Sequence, residues 1–382
     1  MVVVCHIVLR VGHRGCNFIL GMLYYIIQLS LMCTYINLSP RDQKLISDFP
    51  VNICSATEHL NVEGKTVIYA VCPNPKCHYT YKPTFNVDSP IPKYPLFCSH
   101  QMFKNGKPCK EHLLRPRTIS RQVIQVPIKP FMYFDFKDWV TGLLSRLGIE
   151  DQMDGAWSAS ERDISSAGLM KDIFDGDMLR QFKGPDKETH FSIGGNEGRC
   201  VFSLCVDFFN PYMNKQAGKK ASIGLISMVC LNLPPDIRYK PENMYLTSII
   251  PGLREPPLAT INHDMTPLVD DLLDFWKPGV RFSRTHAYPH GRLVLCALIA
   301  LVCDLPGARK LASFSSFSHN HFCSICKCRR DREGYGTTDY NSWEGQMKEE
   351  YEFYSHKFVN ATDVKDRQAI FDEAGVWWTE LL

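Results

Sequence analysis

Two apolar runs in this chain each end on an aspartate, and this pairing limits its fold more than any other feature. The first runs from Val201 through Cys205 and Val206 to Asp207, and is followed by Phe208, Phe209, Asn210 and Pro211. The second runs from Leu293 through Cys303 to Asp304, and leads into Leu305, Pro306 and Gly307. Apolar runs bounded by turn residues read as buried strands, although the second also fits a buried helix by pattern alone. A rigid strand with an open tip is a good mount for a carboxylate. Two such carboxylates on neighbouring strands can hold a pair of Mg²⁺ ions roughly 4 Å apart for phosphoryl chemistry. The plainer reading, in which each Asp ends a strand and starts a turn, stays open.

The segments between the two aspartates read as an ordered series. A Gly/Lys turn from Asn214 to Lys220 precedes an apolar run from Ser222 to Leu231, and a Pro-rich loop leads to a third run, Met244 to Ile250. Leu268, Val269, Leu272, Leu273 and Trp276 then recur at helical spacing. Thr266 is the expected N-cap of that helix, with Pro267 at its first position and Gly279 near its end. Strand with Asp, strand, strand, helix, strand with Asp is the order of an RNase H-like core. Order alone does not fix a fold, so it counts as support.

At 382 residues the chain has room for two or three cores, and a net charge of +3 excludes a uniformly basic nucleic-acid binder. Lone cysteines inside apolar runs (Cys200, Cys205, Cys230, Cys296, Cys303) behave as small hydrophobes. The others cluster with metal-ligand spacing, which suits a reducing compartment better than a disulfide scaffold. Cys72, Cys77, Cys98 and Cys109 can close a tetrahedral zinc site, with His78, His100 and His112 as alternative ligands. Cys323 and Cys326 form a second, tighter pair, with His319 or His321 as a further ligand and His356 as a distant one. The most basic stretch overlaps and follows the first cluster: Lys104, Lys107, Lys110, Arg115, Arg117, Arg121 and Lys129, opposed by Glu111. Such a run neutralises phosphates, although many charge runs are only solvated surface. Residues 17–33 are apolar but short for a membrane span and broken by Gln28 and Ser30. A buried helix is the preferred reading, with a membrane or signal segment as the alternative. No P-loop, nucleophile elbow or zinc-protease helix occurs, and no small-molecule substrate is evident.

Cys205 to Pro211, Leu231 to Pro235, Arg238 to Met244, Ile249 to Gly252, Asp304 to Lys310 and Cys323 to Cys326 together resemble CACTA-type (En/Spm-like) DNA transposases. The resemblance runs from about Ser39 to the C-terminus. It implies a DDE-type nuclease and strand transferase acting on double-stranded DNA at transposon ends, in the nucleus, with a homo-oligomer as a further option. Asp207 and Asp304 would be its first two acids, holding Mg²⁺ or Mn²⁺. Structural Zn²⁺ at Cys72, Cys77, Cys98 and Cys109 fits cysteines in matching places, and a further metal site at Cys323 and Cys326 is expected to be incomplete. The third acid of the family lies beyond a cysteine-containing insertion, and the chain is expected to stop inside that insertion. Glu349 and Glu350 are conceivable substitutes, on a helix-like stretch from Trp343 to Phe358, but read more simply as a solvated face.

The expected organisation is α/β in five stretches. These are an apolar helical segment (1–49), a zinc-ribbon-like module with the basic run (50–118), a helical linker (119–195), a partial RNase H-like core (196–318) and the insertion (319–382). In the linker, Phe134, Phe136, Trp139, Leu143, Leu144 and Leu147 mark an amphipathic helix able to pack on the core. Two rival functions remain: a non-catalytic, zinc-dependent DNA-binding remnant, and a membrane-associated zinc protein.

Overall fold

The computed structural model describes all residues except 1, 4–10, 35–37, 61–63, 87–88, 120, 161–169, 193–194, 211–221, 253–254, 258–259 and 337–338. The turn expected at Asn214 to Lys220 therefore lies outside the described residues. The chain divides into two compact units, Met1–Lys65 and Thr66–Leu382.

The first unit holds helices α1 (His13–Thr34), α2 (Pro40–Asp48) and α3 (Ile53–His59). Cys16 and Leu20 of α1 pack with Ile53 and Ala56 of α3 in a small core. The expectation of a buried helix fails over most of α1, because Phe18, Met22, Tyr25, Ile26, Leu29 and Met32 are exposed. The reason is the size of the unit: two short neighbours cover one side of a 22-residue helix and leave the opposite side open. By length and composition, residues 13–32 form a helix long and apolar enough to cross a membrane.

The second unit is built on an eight-stranded mixed sheet. Its strands are β1 (Thr66–Val71), β2 (Thr80–Tyr81), β7 (Lys129–Phe134), β8 (Gly198–Phe209), β9 (Ile223–Cys230), β10 (Met244–Ile250), β11 (Val280–Phe282) and β12 (Arg292–Leu301). They lie in the order β11-β12-β8-β9-β10-β7-β1-β2. β9 runs antiparallel to both β8 and β10, whereas β12 runs parallel to β8. The run ending at Asp304 is thus a strand. Two hairpins stand outside this sheet: β3 (Thr84–Asn86) with β4 (Ser89–Lys93), and β5 (Leu114–Ile119) with β6 (Gln122–Pro127). Strand β1, from the stretch read as the zinc module, pairs with β7 and so belongs to the large sheet.

Alternation along β8 serves both faces of the sheet. Cys200, Phe202, Leu204 and Val206 face helices α4 (Phe136–Leu144) and α7 (Ile261–Trp276). Phe136 makes edge-to-face contact with Phe202 at 5.4 Å and with Phe275 at 5.0 Å between centroids. Val201 instead joins Leu295 and Ala297 beneath Trp157 of α5 (Ile149–Ser160), Phe174, Leu179 of α6 (Asp177–Arg180) and Phe191. The linker helix packs through Phe136, Val140, Leu143 and Leu144 as its spacing predicts. Leu147, read as part of the same stripe, is 83% exposed because α4 has already ended.

Helix α7 begins at Ile261, so Pro267 sits inside it and Thr266 is not its N-cap. Proline removes the N–H that would bond the carbonyl of His263. The Thr80 hydroxyl donates to that carbonyl at 2.9 Å, so the freed acceptor is satisfied from β2.

Candidate metal centre and carboxylate pair

The end of β1 delivers Cys72, and the turn that follows delivers Cys77. In that turn the N–H groups of Cys77 and His78 both donate to the carbonyl of Asn74. Cys98 and Cys109 face each other across a second turn, where the Lys110 N–H donates to Cys98 O and the Cys109 N–H to His100 O. The residue after each of Cys77 and Cys109 is left-handed, His78 at φ 55° and Lys110 at φ 59°, a conformation that bends the chain sharply back behind the thiol.

All four Sγ atoms lie within 4.8 Å of one another. Cys72 and Cys109 are 3.8 Å apart, and Cys77 and Cys98 are 3.6 Å apart. A tetrahedron of Zn–S bonds of about 2.3 Å has edges of about 3.8 Å, so the donor set and its spacing fit zinc. Asn74 Nδ2 donates to Cys109 Sγ at 3.4 Å and the Tyr81 hydroxyl to Cys98 Sγ at 3.3 Å, a polar outer layer suited to thiolates. A hydrogen bond from Cys72 draws the Cys77 thiol down to about 5, while the same bond and burial push Cys72 up. Fully buried Leu113 packs against Cys72, Cys77 and Cys98 and ties the cluster to the start of β5.

The three alternative histidines are engaged elsewhere. His78 Nε2 meets Lys129 Nζ at 2.7 Å, and burial followed by the Lys129 charge pulls its pKa down to about 4. His100 stacks on Tyr79 at 4.4 Å, and His112 lies against Phe97 at 4.3 Å. Lys104, Lys107, Lys110, Arg115, Arg117 and Arg121 are all exposed.

Asp207 lies two residues before the end of β8, and Asp304 three residues beyond the end of β12, the adjacent parallel strand. Leu298 pairs with Phe202, but after an irregularity Ala300 pairs with Ser203 and Leu301 with Leu204. Continued three residues past the end of β12, this register would bring Asp304 level with Asp207. The Val302 N–H donates to Leu204 O at 2.8 Å, and the Val206 N–H to Cys303 Sγ at 3.3 Å, so the strands stay together to that point. Both aspartates are exposed. Burial raises the Cys205 thiol, and the charges of Asp207 and Asp304 raise it further, so both carboxylates act on one neighbour.

Asp304 also caps helix α8 (Leu305–Leu311), its Oδ1 accepting the Gly307 N–H at 2.7 Å. A Cβ at Gly307 would lie 2.7 Å from that same oxygen, so a larger residue there would make the Asp304 carboxylate shift. The turn-starting role open to Asp304 in the sequence is therefore realised alongside its position beside Asp207. Among the described residues, the four cysteines are the one set of three or more His, Cys or carboxylate ligands gathered within 4.8 Å. Glu350, on α9 (Lys348–Val359), pairs instead with Lys327 at 2.6 Å, and Glu349 lies exposed on the same helix.

Cys323 and Cys326 are brought together differently. Cys323 Sγ accepts the N–H groups of Ile325 at 3.4 Å and Cys326 at 3.3 Å, forming a single knuckle. His319 lies tilted against Phe371 at 4.8 Å, His321 Nε2 contacts Arg329 at 3.2 Å, and His356 lies against Trp378 at 5.1 Å.

Some residues of interest have no signal in the sequence. Asp264, on α7, is 1% exposed, and neither of its carboxylate oxygens has a hydrogen-bond partner. Burial raises its pKa to about 7, against the charges of Lys129 and Lys310. A lone Asp in an amphipathic helix reads as its wet face. Tyr81, whose hydroxyl also accepts the N–H groups of Ser99 and His100, looks like any strand tyrosine.

No curated protein matches the chain. Residues 168–348, a span holding Asp207, Asp304, Cys323 and Cys326, match the family model of transposase family tnp2, and this match supports a CACTA-type (En/Spm-like) transposase over that span.

Proposed function

We propose that the chain acts as a DDE-type transposase on duplex DNA in the nucleus, with Asp207 and Asp304 as two of its metal-holding acids. The observation that carries this reading is the strand order β10-β9-β8-β12, with β12 parallel to β8 and an aspartate at the end of each. That order, with α7 between β10 and β12, is the one expected of an RNase H-like core. Two exposed carboxylates at open strand ends are hard oxygen donors, which suit Mg²⁺ or Mn²⁺. When bound, such ions activate water and stabilise charge on the phosphoryl group being cut or joined. Asp207 is fixed by its pairing with Leu225 of β9, and Asp304 by its cap on α8. The four-cysteine centre would hold one structural Zn²⁺, and the basic residues beside it would neutralise phosphates.

A second reading is favoured by one observation: no third carboxylate gathers with the two aspartates among the described residues. In that reading the chain binds DNA through its zinc module and does not cut it. Incubating purified chain with supercoiled plasmid and Mg²⁺ separates the two. Nicking that disappears in Asp207→Ala supports the transposase chemistry. Binding without nicking, with an affinity that falls steeply as salt rises, supports the second reading.

A further inference from the structure

The hairpin β5–β6 leaves the metal centre as an isolated two-stranded ribbon. Six residues pair with six, from Leu114 opposite Pro127 to Ile119 opposite Gln122. Its base is anchored by Leu113, which packs on the cysteine cluster, and by the Ile128 N–H donating to Leu113 O. Beyond that base Arg115 and Arg117 are exposed and Ile124 and Val126 beside them half-buried, while Val123, on the opposite face, is 68% exposed. From 114 to 127 the ribbon carries three arginines and no acid. Among the described residues, no carboxylate pairs with Arg115 or Arg117.

Register gives the ribbon two distinct faces. Arg115 lies opposite Val126 and Arg117 opposite Ile124, so these four residues share one face. Arg115 and Arg117 are two residues apart on one strand, about 6.8 Å at the antiparallel rise. Two base-pair steps of DNA cover the same distance. The major groove admits a two-stranded ribbon, arginine bonds guanine O6 and N7 as a fork, and short apolar side chains suit thymine methyls.

We infer that this ribbon enters the major groove of duplex DNA with the arginine face inward, Arg115 and Arg117 reading guanines two steps apart. The inference rests on the DNA-binding reading above and deepens it, since arginines that only held phosphates would carry no sequence information. The zinc centre then serves as the rigid root of a reading element.

The test uses the full chain with zinc, a pool of random-sequence duplexes of about 20 base pairs, and a duplex of A·T pairs only. Selection from the pool should enrich sequences with two guanines at fixed spacing. The double variant Arg115→Lys with Arg117→Lys keeps both charges and removes both forks. It should bind the A·T duplex like wild type, with an unchanged salt slope and thermal midpoint. It should lose roughly tenfold or more of the preference for the enriched duplex per arginine. An unenriched pool, or enrichment that survives the lysine variant, overturns the ribbon as a reader while leaving DNA binding intact. Failure of wild type to bind any duplex overturns both readings.

Discussion

The two cysteine groups share residue types and differ in what surrounds them. Around Cys72, Cys77, Cys98 and Cys109, two turns converge from separate segments, Leu113 closes the cluster, and the nearby histidines are taken by Lys129 or by aromatic rings. Around Cys323 and Cys326 a single knuckle forms, and contacts with Phe371 and Arg329 hold His319 and His321. A tight local pair is easy to build from the chain's own N–H groups. Closing a tetrahedron requires a second segment brought in by the fold, and only the first group has one among the described residues.

The sharpest way to break this contrast is to remove one thiol from each. Cys77→Ser in the full chain should abolish binding of about one zinc per chain and lower the thermal midpoint strongly, because metal binding adds directly to folding free energy. Cys323→Ser should leave that zinc in place. Metal analysis of the two variants decides the matter, and equal zinc loss from both would erase the distinction.

A smaller effect concerns Asp264, whose neighbour Lys129 also touches His78 beside the first group. Its folded pKa is about 7, above the unfolded value, so the folded chain binds more protons between about pH 4 and 7. Stability should therefore fall as pH rises through that window. Asp264→Asn cannot ionise, and should reduce the stability difference between pH 5 and pH 8 by about 1–3 kcal/mol. Urea unfolding at the two pH values checks this, and an unchanged difference would show that the carboxylate finds compensation.

The smallest effect separates capping from metal chemistry at Asp304. Asp304→Ala should cost about 1 kcal/mol through the lost cap on α8, and Asp304→Asn only a few tenths, because Asn caps nearly as well. Both should weaken Mg²⁺ binding alike if the carboxylate is a ligand. Magnesium affinity that follows the stability ranking instead would leave Asp304 as a cap alone.

Much of the core was legible in the sequence because local and tertiary preferences agree there. Met244–Ile250 is both an apolar run bounded by turn residues and a strand, and the spacing of Cys72 and Cys77 already has the form of a turn. What the sequence hid depends on distant partners. Pro267 reads as a helix start, and only Thr80, 183 residues away, makes its interior place acceptable. The β5–β6 ribbon was obscured by Pro116 and by polar residues that signal a loop, since a ribbon with two exposed faces needs no apolar alternation. The exposure of α1 reflects how little of its own unit is available to cover it.

The irregularity between Leu298 and Ala300 has a consequence for how such chains can vary. In a strand, orientation is counted in steps of two. Were Ile299 paired with Ser203, the register would carry Asp304 level with Phe208 and turn it towards the face that carries α4 and α7. With Ile299 left out of the pairing, the register carries Asp304 level with Asp207. Loops between the two aspartates can lengthen or shorten freely, but inside β12 the count from Leu298 onward is tied to this irregularity. Deleting Ile299 should merely restore regular pairing and keep the carboxylate beside Asp207, whereas inserting one residue in the regular part of the strand should turn it to the other face.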